Sequence, residues 1–229
     1  GSIVFDNSAS NATTLSGSVT LAANTNLSFA QNLVGNGNNL TFTGTSPIVV
    51  SGNVQLGAGA LTKNGSSTLT LTGTNTSSGA IVINAGTLNI QNGAALGTTA
   101  GATVVADGAA LQLQGNITIG AEALALSGTG AESSGALRNI SGTNVFGGSL
   151  TLNTATRINS DSGLLTLGGT LSAADLGVTF GGAGDITASG VLALGTLNVD
   201  ALRRKHERDG WDTDFERIGF ACRVGCGSG

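Results

Sequence analysis

The residue types that most often carry chemistry lie near the end of the chain. His206 is the only histidine, and Cys222 and Cys226 are the only cysteines. A zinc site usually takes two cysteine pairs, or cysteine and histidine at fixed short spacings, and one Cys-x-x-x-Cys pair far from a single histidine provides neither. A disulfide remains open in an oxidising compartment. Uninvolved thiols are the favoured interpretation, and no metal ligand is predicted.

His206 beside Glu207 and Asp209 suggests acid–base chemistry as a second interpretation. These residues lie in a run of charges, and such runs are usually solvated surface. A Gly-x-Ser-x-Gly nucleophile elbow with its partners is missing from the sequence. We therefore predict no catalytic residue here.

Paired carboxylates are what a polysaccharide-cleaving solenoid would need, often with calcium or a basic residue. The acids before position 202 stand singly instead: Asp6, Asp107, Glu122, Glu132, Asp161, Asp175, Asp185 and Asp200. Because coils can bring distant residues together, an extracellular polysaccharide-acting solenoid enzyme stays as an alternative. The scattering favours a protein that is not an enzyme, with no catalytic, cofactor-binding or metal-binding residue.

The segment Gly181–Asp185 is the glycine-rich candidate for a ligand loop. It lacks the Lys-Ser/Thr pair of a phosphate-binding loop. It also stands alone, whereas calcium-binding nonapeptides repeat in arrays. We predict a coil turn here and no cofactor.

The composition lies far from ordinary globular usage. The 229 residues include 38 glycines and one proline, 10% are charged, and the formal net charge is −4. Before position 203 the basic residues are Lys63, Arg138 and Arg157, so the footprint of a nucleic-acid-binding protein is missing. No apolar run is long enough to span a bilayer. The chain opens without a Met or a leader pattern, which predicts an internal fragment.

Apolar residues two positions apart recur along the chain, as expected for short strands with one inward face. The pairs are Val19/Leu21, Leu27/Phe29, Leu40/Phe42, Ile48/Val50, Val54/Leu56, Leu69/Leu71, Leu88/Ile90, Leu111/Leu113, Ile117/Ile119, Leu124/Leu126, Leu150/Leu152, Leu165/Leu167, Val178/Phe180, Leu192/Leu194 and Leu197/Val199. Frequent glycine disfavours helices. A β-sandwich would be expected to show longer strands joined by tight hairpin turns. The pattern predicts an all-β solenoid whose strands stack coil on coil.

Two polar patterns accompany these strands. Asn24, Asn53, Asn75 and Asn92 are candidates for asparagine ladders at the turns. Outward threonine rows are expected at Thr41/Thr43, Thr68/Thr70/Thr72 and Thr154/Thr156. An ice-binding face would need such rows in every coil, and a carbohydrate-binding module would need exposed aromatics. The phenylalanines at alternating strand positions suit the core instead: Phe5, Phe29, Phe42, Phe146 and Phe180.

The most repeat-like stretch is Leu61–Ile90, which resembles the passenger-associated strand repeat of bacterial autotransporters. The matching pieces are Leu61-Thr62-Lys63, Gly65, Thr68-Leu69-Thr70-Leu71, Gly73, Asn75, Gly79, Val82 and Ala85-Gly86-Thr87-Leu88. The blocks Gly135–Asn144 and Thr156–Gly163 are similar to intervening coils of large passengers. Three residues depart from the family pattern. The family usually has Gly at the position of Ser67, often has an aromatic at the position of Ser77, and commonly has a second Gly at the position of Ala80. None of these departures would break a coil.

Residues 203–229 differ from the solenoid predicted for residues 1–202. This charged C-terminal tail contains six of the nine basic residues. One interpretation is a polar cap on the last coil. Another is an out-of-frame segment, because shifting the codons of Asp209–Arg217 by one base permits Thr-Gly-Gly-Thr-Leu-Thr-Leu-Ser-Gly, which resembles Ser67–Gly73. Both interpretations stay open, and both are favoured over a small catalytic or metal-binding appendix.

The resemblance implies an autotransporter passenger segment folded as a right-handed parallel β-helix. Its role would be structural and adhesive, without a cofactor. It would lie outside the cell or on the bacterial surface, anchored in the outer membrane through a C-terminal barrel missing from this chain. Expected partners are host or matrix surface glycans or proteins, with no nucleic acid and no membrane span in this fragment. Exposed coil ends predict end-to-end self-association unless the tail caps them. A carbohydrate- or ice-binding β-solenoid module is the further alternative.

Overall fold

The structure, a computed structural model, describes residues 3–5, 12–174, 176–194 and 196–199, with side chains for 12–174 and 176–194. The predicted boundary at position 202 and the charged tail 203–229 lie outside the described residues.

The described chain is built from short strands separated by turns. The strands are β1 (Ile3–Phe5), β2 (Ala12–Leu15), β3 (Val19–Ala23), β4 (Leu27–Phe29), β5 (Asn32–Val34), β6 (Leu40–Gly44), β7 (Ile48–Val50), β8 (Val54–Gln55), β9 (Leu61–Lys63), β10 (Thr68–Leu71), β11 (Ile81–Ile83), β12 (Gly86–Ile90), β13 (Thr103–Val105), β14 (Ala109–Gln114), β15 (Thr118–Ile119), β16 (Leu124–Gly128), β17 (Leu137–Ser141), β18 (Thr143–Phe146), β19 (Leu150–Ser160), β20 (Leu164–Leu167), β21 (Leu171–Ser172), β22 (Gly177–Gly181), β23 (Asp185–Ala188), β24 (Leu192–Ala193) and β25 (Thr196–Val199). The only helical element in the described part is a single 3-10 turn, Ala131–Ser133. No described helix has the length and apolarity to cross a membrane.

The strands form three faces of parallel ladders. The first face stacks nine strands, β3-β6-β9-β11-β13-β16-β19-β21-β24. The second stacks β4-β7-β10-β12-β14-β17-β19-β22-β25, so the long strand β19 serves both faces. The third consists of β2-β5-β8 and β15-β18-β20-β23. The predicted all-β parallel solenoid is confirmed.

Coil length is nearly constant, because equivalent residues must lie above each other. Val19 pairs with Leu40 and Leu40 pairs with Leu61, one coil for each 21 residues. The exception is the coil that begins with β16, where Leu124 pairs with Leu150. The five extra residues of this coil are contained in a closed loop over positions 128–136, in which the Gly135 amide donates to the Thr129 carbonyl at 2.8 Å.

Alternation along each strand fills the core. The first residue of most first-face strands points inward, the second outward and the third inward, as in β6, β9 and β11. The phenylalanines with described side chains lie inside, and Phe29 meets Phe42 edge-on with ring centroids 6.4 Å apart. Most of the predicted inward pairs are buried, and Leu21, Leu27, Leu192 and Leu194 are partly buried against them.

Between β8 and β15, hydrogen bonds with side chains replace part of the backbone ladder of the third face. In the coil through Asn75 and Ser77, the Val54 amide donates to Asn75 Oδ1 at 2.6 Å and the Leu56 amide to Ser77 Oγ at 2.8 Å. Both side chains are buried. The Ser77 hydroxyl also donates to the Val54 carbonyl at 3.1 Å, so its hydrogen bonds explain why a polar residue is accepted where the resembled repeat often has an aromatic.

Candidate functional site

The outward side of the second face carries a hydrogen-bonded set of polar side chains on successive coils. Its members point away from the core on four successive coils and are called the polar face below: Asn89, Gln91, Gln112, Gln114, Arg138, Arg157, Asn159 and Asp161. Neighbouring coils are about 4.8 Å apart, so the polar face extends roughly 15 Å along the axis.

Side-chain amides form one half of the polar face. Gln91 Nε2 donates to Asn89 Oδ1 at 3.0 Å and to Gln114 Oε1 at 3.3 Å. Asn89 Nδ2 donates to Gln112 Oε1, also at 3.3 Å. Asn89 is thus bonded to the glutamine side chains on both sides of it, which agrees with its being only 5% exposed although it points outward.

Charged groups form the other half. Arg138 binds Asp161 Oδ2 through Nε at 2.8 Å and through Nη2 at 2.6 Å. Asn159 Nδ2 donates to the other oxygen, Asp161 Oδ1, at 2.6 Å, and Arg157 Nη2 donates to Asn159 Oδ1 at 3.1 Å. Both members of the ion pair are about a quarter exposed, so solvent weakens the attraction and leaves the groups accessible.

The loop over positions 128–136 borders the polar face. Its Ser134 Oγ accepts a hydrogen bond from Arg138 Nη1 at 3.1 Å and donates to the Ala131 carbonyl at 2.7 Å. Glu132 and Ser133 adopt positive φ of 53° and 57°, a backbone conformation that is uncommon for residues other than glycine. The loop therefore holds Arg138 from one side while Asp161 holds it from the other.

Carboxylates do not assemble into a described catalytic cluster. Asp107 follows β13, Glu132 lies in the loop before β17, and Asp185 begins β23. Asp6, Asp175 and Asp200 lie outside the described residues. Within the described part, no group of three or more His, Cys, Asp and Glu side chains could hold a metal ion. His206, Cys222 and Cys226 also lie outside it.

Glu122 is the one buried carboxyl among the described residues. Its side chain is 3% exposed and its Oε1 accepts a hydrogen bond from Thr103 Oγ1 at 3.0 Å. Burial raises the pKa of this carboxyl, against the smaller opposing effect of the Thr103 hydrogen bond. A single carboxyl with one neutral partner lacks the second group that acid–base catalysis of glycoside cleavage needs.

The buried, inward position of Lys63 was not predicted from the sequence. Its side chain points inward and is fully buried, although the strand neighbours at its position are Phe42 and Ile83. Burial lowers the pKa of the Lys63 amine to about 8. The alternation of β9 could have revealed this position, because Leu61 and Lys63 must share a face.

A second inward polar group lies where β17, β18 and β19 meet. Asn139, Asn144 and Ser160 are fully buried. Asn139 Nδ2 donates to Ser160 Oγ at 3.0 Å and to the Ser162 carbonyl at 2.9 Å, and Asn144 Nδ2 donates to Asn139 Oδ1. Position 139 follows Leu137 by two in the strand, so alternation alone also predicts that it points inward.

The four asparagines predicted to form ladders at the turns do not bond to one another through their side chains in the described structure, although three of them bond to a neighbouring coil. The Thr74 amide donates to Asn53 Oδ1 at 2.9 Å, and Asn92 Nδ2 donates to Thr74 Oγ1 at 3.3 Å. Asn75 bonds to the coils on both sides. Asn24 is exposed on the turn after β3.

The outward threonine rows are short. Thr41 pairs with Thr62, but the next strand brings Val82 to that position. The prediction that Thr156 points outward is wrong, because it is buried, shares its face of the strand with buried Ile158 and pairs with buried Val178. Strand β19 passes from the first face to the second around this point, so three consecutive exposed residues, 153–155, interrupt the alternation.

Residues 61–90 match the family model described as the passenger-associated-transport-repeat. No curated protein and no solved structure matches the chain. The matched segment comprises β9–β12, which are adjacent strands on the first two faces. Together with the stacked coils, this match supports an autotransporter passenger β-helix repeat protein. It suggests a structural β-helix and an extracellular or cell-surface location.

Proposed function

We propose that this passenger-type β-helix is a surface-displayed, adhesive rod that carries out no catalysis. The observation that supports it best is the uninterrupted stack of nine parallel strands on the first face. Such a stack extends roughly 40 Å at about 4.8 Å per coil. Each coil contacts only its neighbours, so the stack acts as a spacer whose length follows the number of coils.

The polar face is the contact surface in this proposal. Its amides, guanidinium groups and carboxylate offer both donors and acceptors in fixed positions, as the hydroxyls and amides of host or matrix surface glycans and proteins require. Each such contact is weak, and display of many copies on one cell would multiply the effect.

Antibodies raised against the chain test the display. They should label intact cells of the bacterium that carries the gene, and protease added outside should remove the label. Labelling that appears only after the cells are permeabilised would overturn surface display and anchoring in the outer membrane.

Arg138→Gln tests the contact surface. The purified variant should bind immobilised host glycans or matrix proteins about tenfold more weakly than the parent, because arginine is a frequent source of binding energy at interfaces. Thr62→Ala, on the outward side of the first face, is the matched control and should bind as the parent does. Equal binding by all three proteins would remove the polar face from the proposal while leaving the spacer role intact.

End-to-end association is a further part of the proposal. Within the described residues, β3 and β4 each pair with a strand on one side only, and open strand edges recruit other strands. The antiparallel pairing of β1 with β2 covers the third edge. Light scattering over a concentration series should therefore show association, and a monomer at every concentration would contradict it.

A further inference from the structure

No acidic residue lies near Lys63 in the sequence. It is the only charged residue from position 7 to position 106, a stretch that includes the neighbouring strands β6 and β11. A buried amine must nevertheless be hydrogen-bonded, because the cost of removing it from water is otherwise high.

Three backbone carbonyls supply those bonds. Lys63 Nζ donates to the oxygens of Asn64 at 2.9 Å, Gly65 at 2.8 Å and Ala85 at 3.1 Å. A protonated lysine has three donors, so donors and acceptors match one to one. Two carbonyls belong to the turn after β9 and the third to the turn after β11, which lie on successive coils.

The backbone of both turns lets the carbonyls converge. Gly65 and Gly86 have φ of 74° and 67°, which glycine adopts without strain. A Cβ on Gly65 would lie 2.4 Å from the Gly44 oxygen, and one on Gly86 would lie 2.5 Å from the Gly65 oxygen. Gly65 therefore lets its turn stack closely on the turn after β6, and Gly86 lets the next turn stack closely on Gly65. The stacking of these turns and the site for the amine depend on the same glycines.

We propose that the carbonyls of Asn64, Gly65 and Ala85 form a binding site for one primary amine, which Lys63 fills from within to fasten the two coils of residues 61–90 together. The site recognises N–H donors rather than charge alone. A short alkylamine should therefore enter it when the lysine side chain is removed. The site contributes to the stability of the rod and is independent of the contacts proposed for the polar face.

Lys63→Ala in the full chain opens the site. The midpoint of thermal unfolding should fall by roughly 5 °C or more, because three buried carbonyls lose their donor. Propylammonium chloride should restore most of that loss. Tetramethylammonium chloride at the same concentration has the charge but no N–H group, and it should restore none. Rescue by both salts, or by neither, would overturn the amine site.

Lys63→Met is the matched control, because it keeps the aliphatic stem and removes only the amine. It should unfold at a lower temperature than the parent and should not respond to propylammonium. A Lys63→Met protein that is as stable as the parent or more stable would also overturn the proposal, since burying the charge would then cost more than the hydrogen bonds return.

A measurement on the chain with Lys63 intact covers the case in which Lys63→Ala does not fold. Lys205 is the only other lysine, so Lys205→Arg leaves a single lysine side chain for nitrogen-15 labelling. The Lys63 amine protons should exchange slowly with water and stay visible by NMR at neutral pH. Exchange as fast as in free lysine would show that the carbonyls do not hold the amine.

Discussion

Two corners of the solenoid bury polar side chains in different ways. At the first, the Lys63 amine bonds only to carbonyls of two turns. At the second, Asn139, Asn144 and Ser160 bond to each other as well as to turn carbonyls. Both lie at positions that are apolar in an adjacent coil, since Phe42 precedes Lys63 and Leu113 precedes Asn139 in their ladders.

The comparison shows that the turn backbone decides which polar group can be buried. Where carbonyls alone converge, only a donor fits, and an amine supplies up to three. Where a backbone amide also needs a partner, an asparagine supplies both a donor and an acceptor, as Asn144 Oδ1 does for the Ile117 amide at 2.7 Å. The first solution introduces a titratable group into the core, and the second does not.

Replacing Asn139 should have the largest effect. Asn139→Leu keeps the approximate volume but leaves Asn144, Ser160 and the Ser162 carbonyl without their partner. We expect the free energy of unfolding to fall by about 4 kcal/mol, because a broken buried network leaves several groups unsatisfied at once. Urea unfolding followed by circular dichroism measures it.

The matched control for this change is Asn153→Ala, which alters an exposed asparagine of the same sheet. It should change stability by less than about 0.5 kcal/mol. If Asn139→Leu were as stable as this control, the buried amides would be replaceable by apolar packing and the contrast between the two corners would disappear.

The pH dependence should separate the two corners. The Lys63 pKa is about 8 in the folded chain against an ordinary 10.5, so between these values the unfolded chain binds more protons. Raising the pH through this window therefore stabilises the fold, by up to about 3 kcal/mol. Urea unfolding from pH 7 to 10.5 measures the rise, and the Asn139 corner contributes nothing to it.

Lys63→Met is the reference for that titration, because it retains every other titratable group. The rise should be absent from this variant. A rise of equal size in both proteins would assign it to groups outside the Lys63 corner.

Replacing Ser67 should have the smallest effect on stability among these substitutions, and it tests the packing near the first corner. Its hydroxyl oxygen is buried and has no hydrogen-bond partner among the described residues, at a position where the resembled repeat usually has glycine. Ser67→Ala should raise the free energy of unfolding by about 1 kcal/mol by removing an unsatisfied polar group. Ser66→Ala, one residue earlier and exposed, should leave it unchanged. A loss of stability in Ser67→Ala would show that the hydroxyl does find a partner.

The fold was predictable because the alternation of apolar residues survives in nearly every coil. Leu40 with Phe42 and Leu69 with Leu71 are buried as predicted, since residues two apart in a strand must share a face. The family match at residues 61–90 also coincides with the predicted stretch. The handedness of the coil stays a prediction.

The polar face and the buried polar corners were not predictable to the same degree. Arg138 and Asp161 are 23 residues apart, and their pairing depends on the exact register between β17 and β19, which places Arg138 beside Asn159. The role of Lys63 depends on where turn carbonyls point, which is set by backbone angles at Gly65 rather than by residue type alone. The passage of β19 from the first face to the second likewise places Thr156 inward, opposite to the direction predicted from the sequence.

The orientation of the ladders determines how the rod would respond to a pulling force. Its interstrand hydrogen bonds run along the long axis, so tension applied to the two ends separates one coil from the next instead of shearing a whole sheet. Each released coil of 21 residues removes about 5 Å of rod and adds roughly 70 Å of extended chain. A tether of this design would lengthen in discrete steps and limit the load on whatever its far end holds.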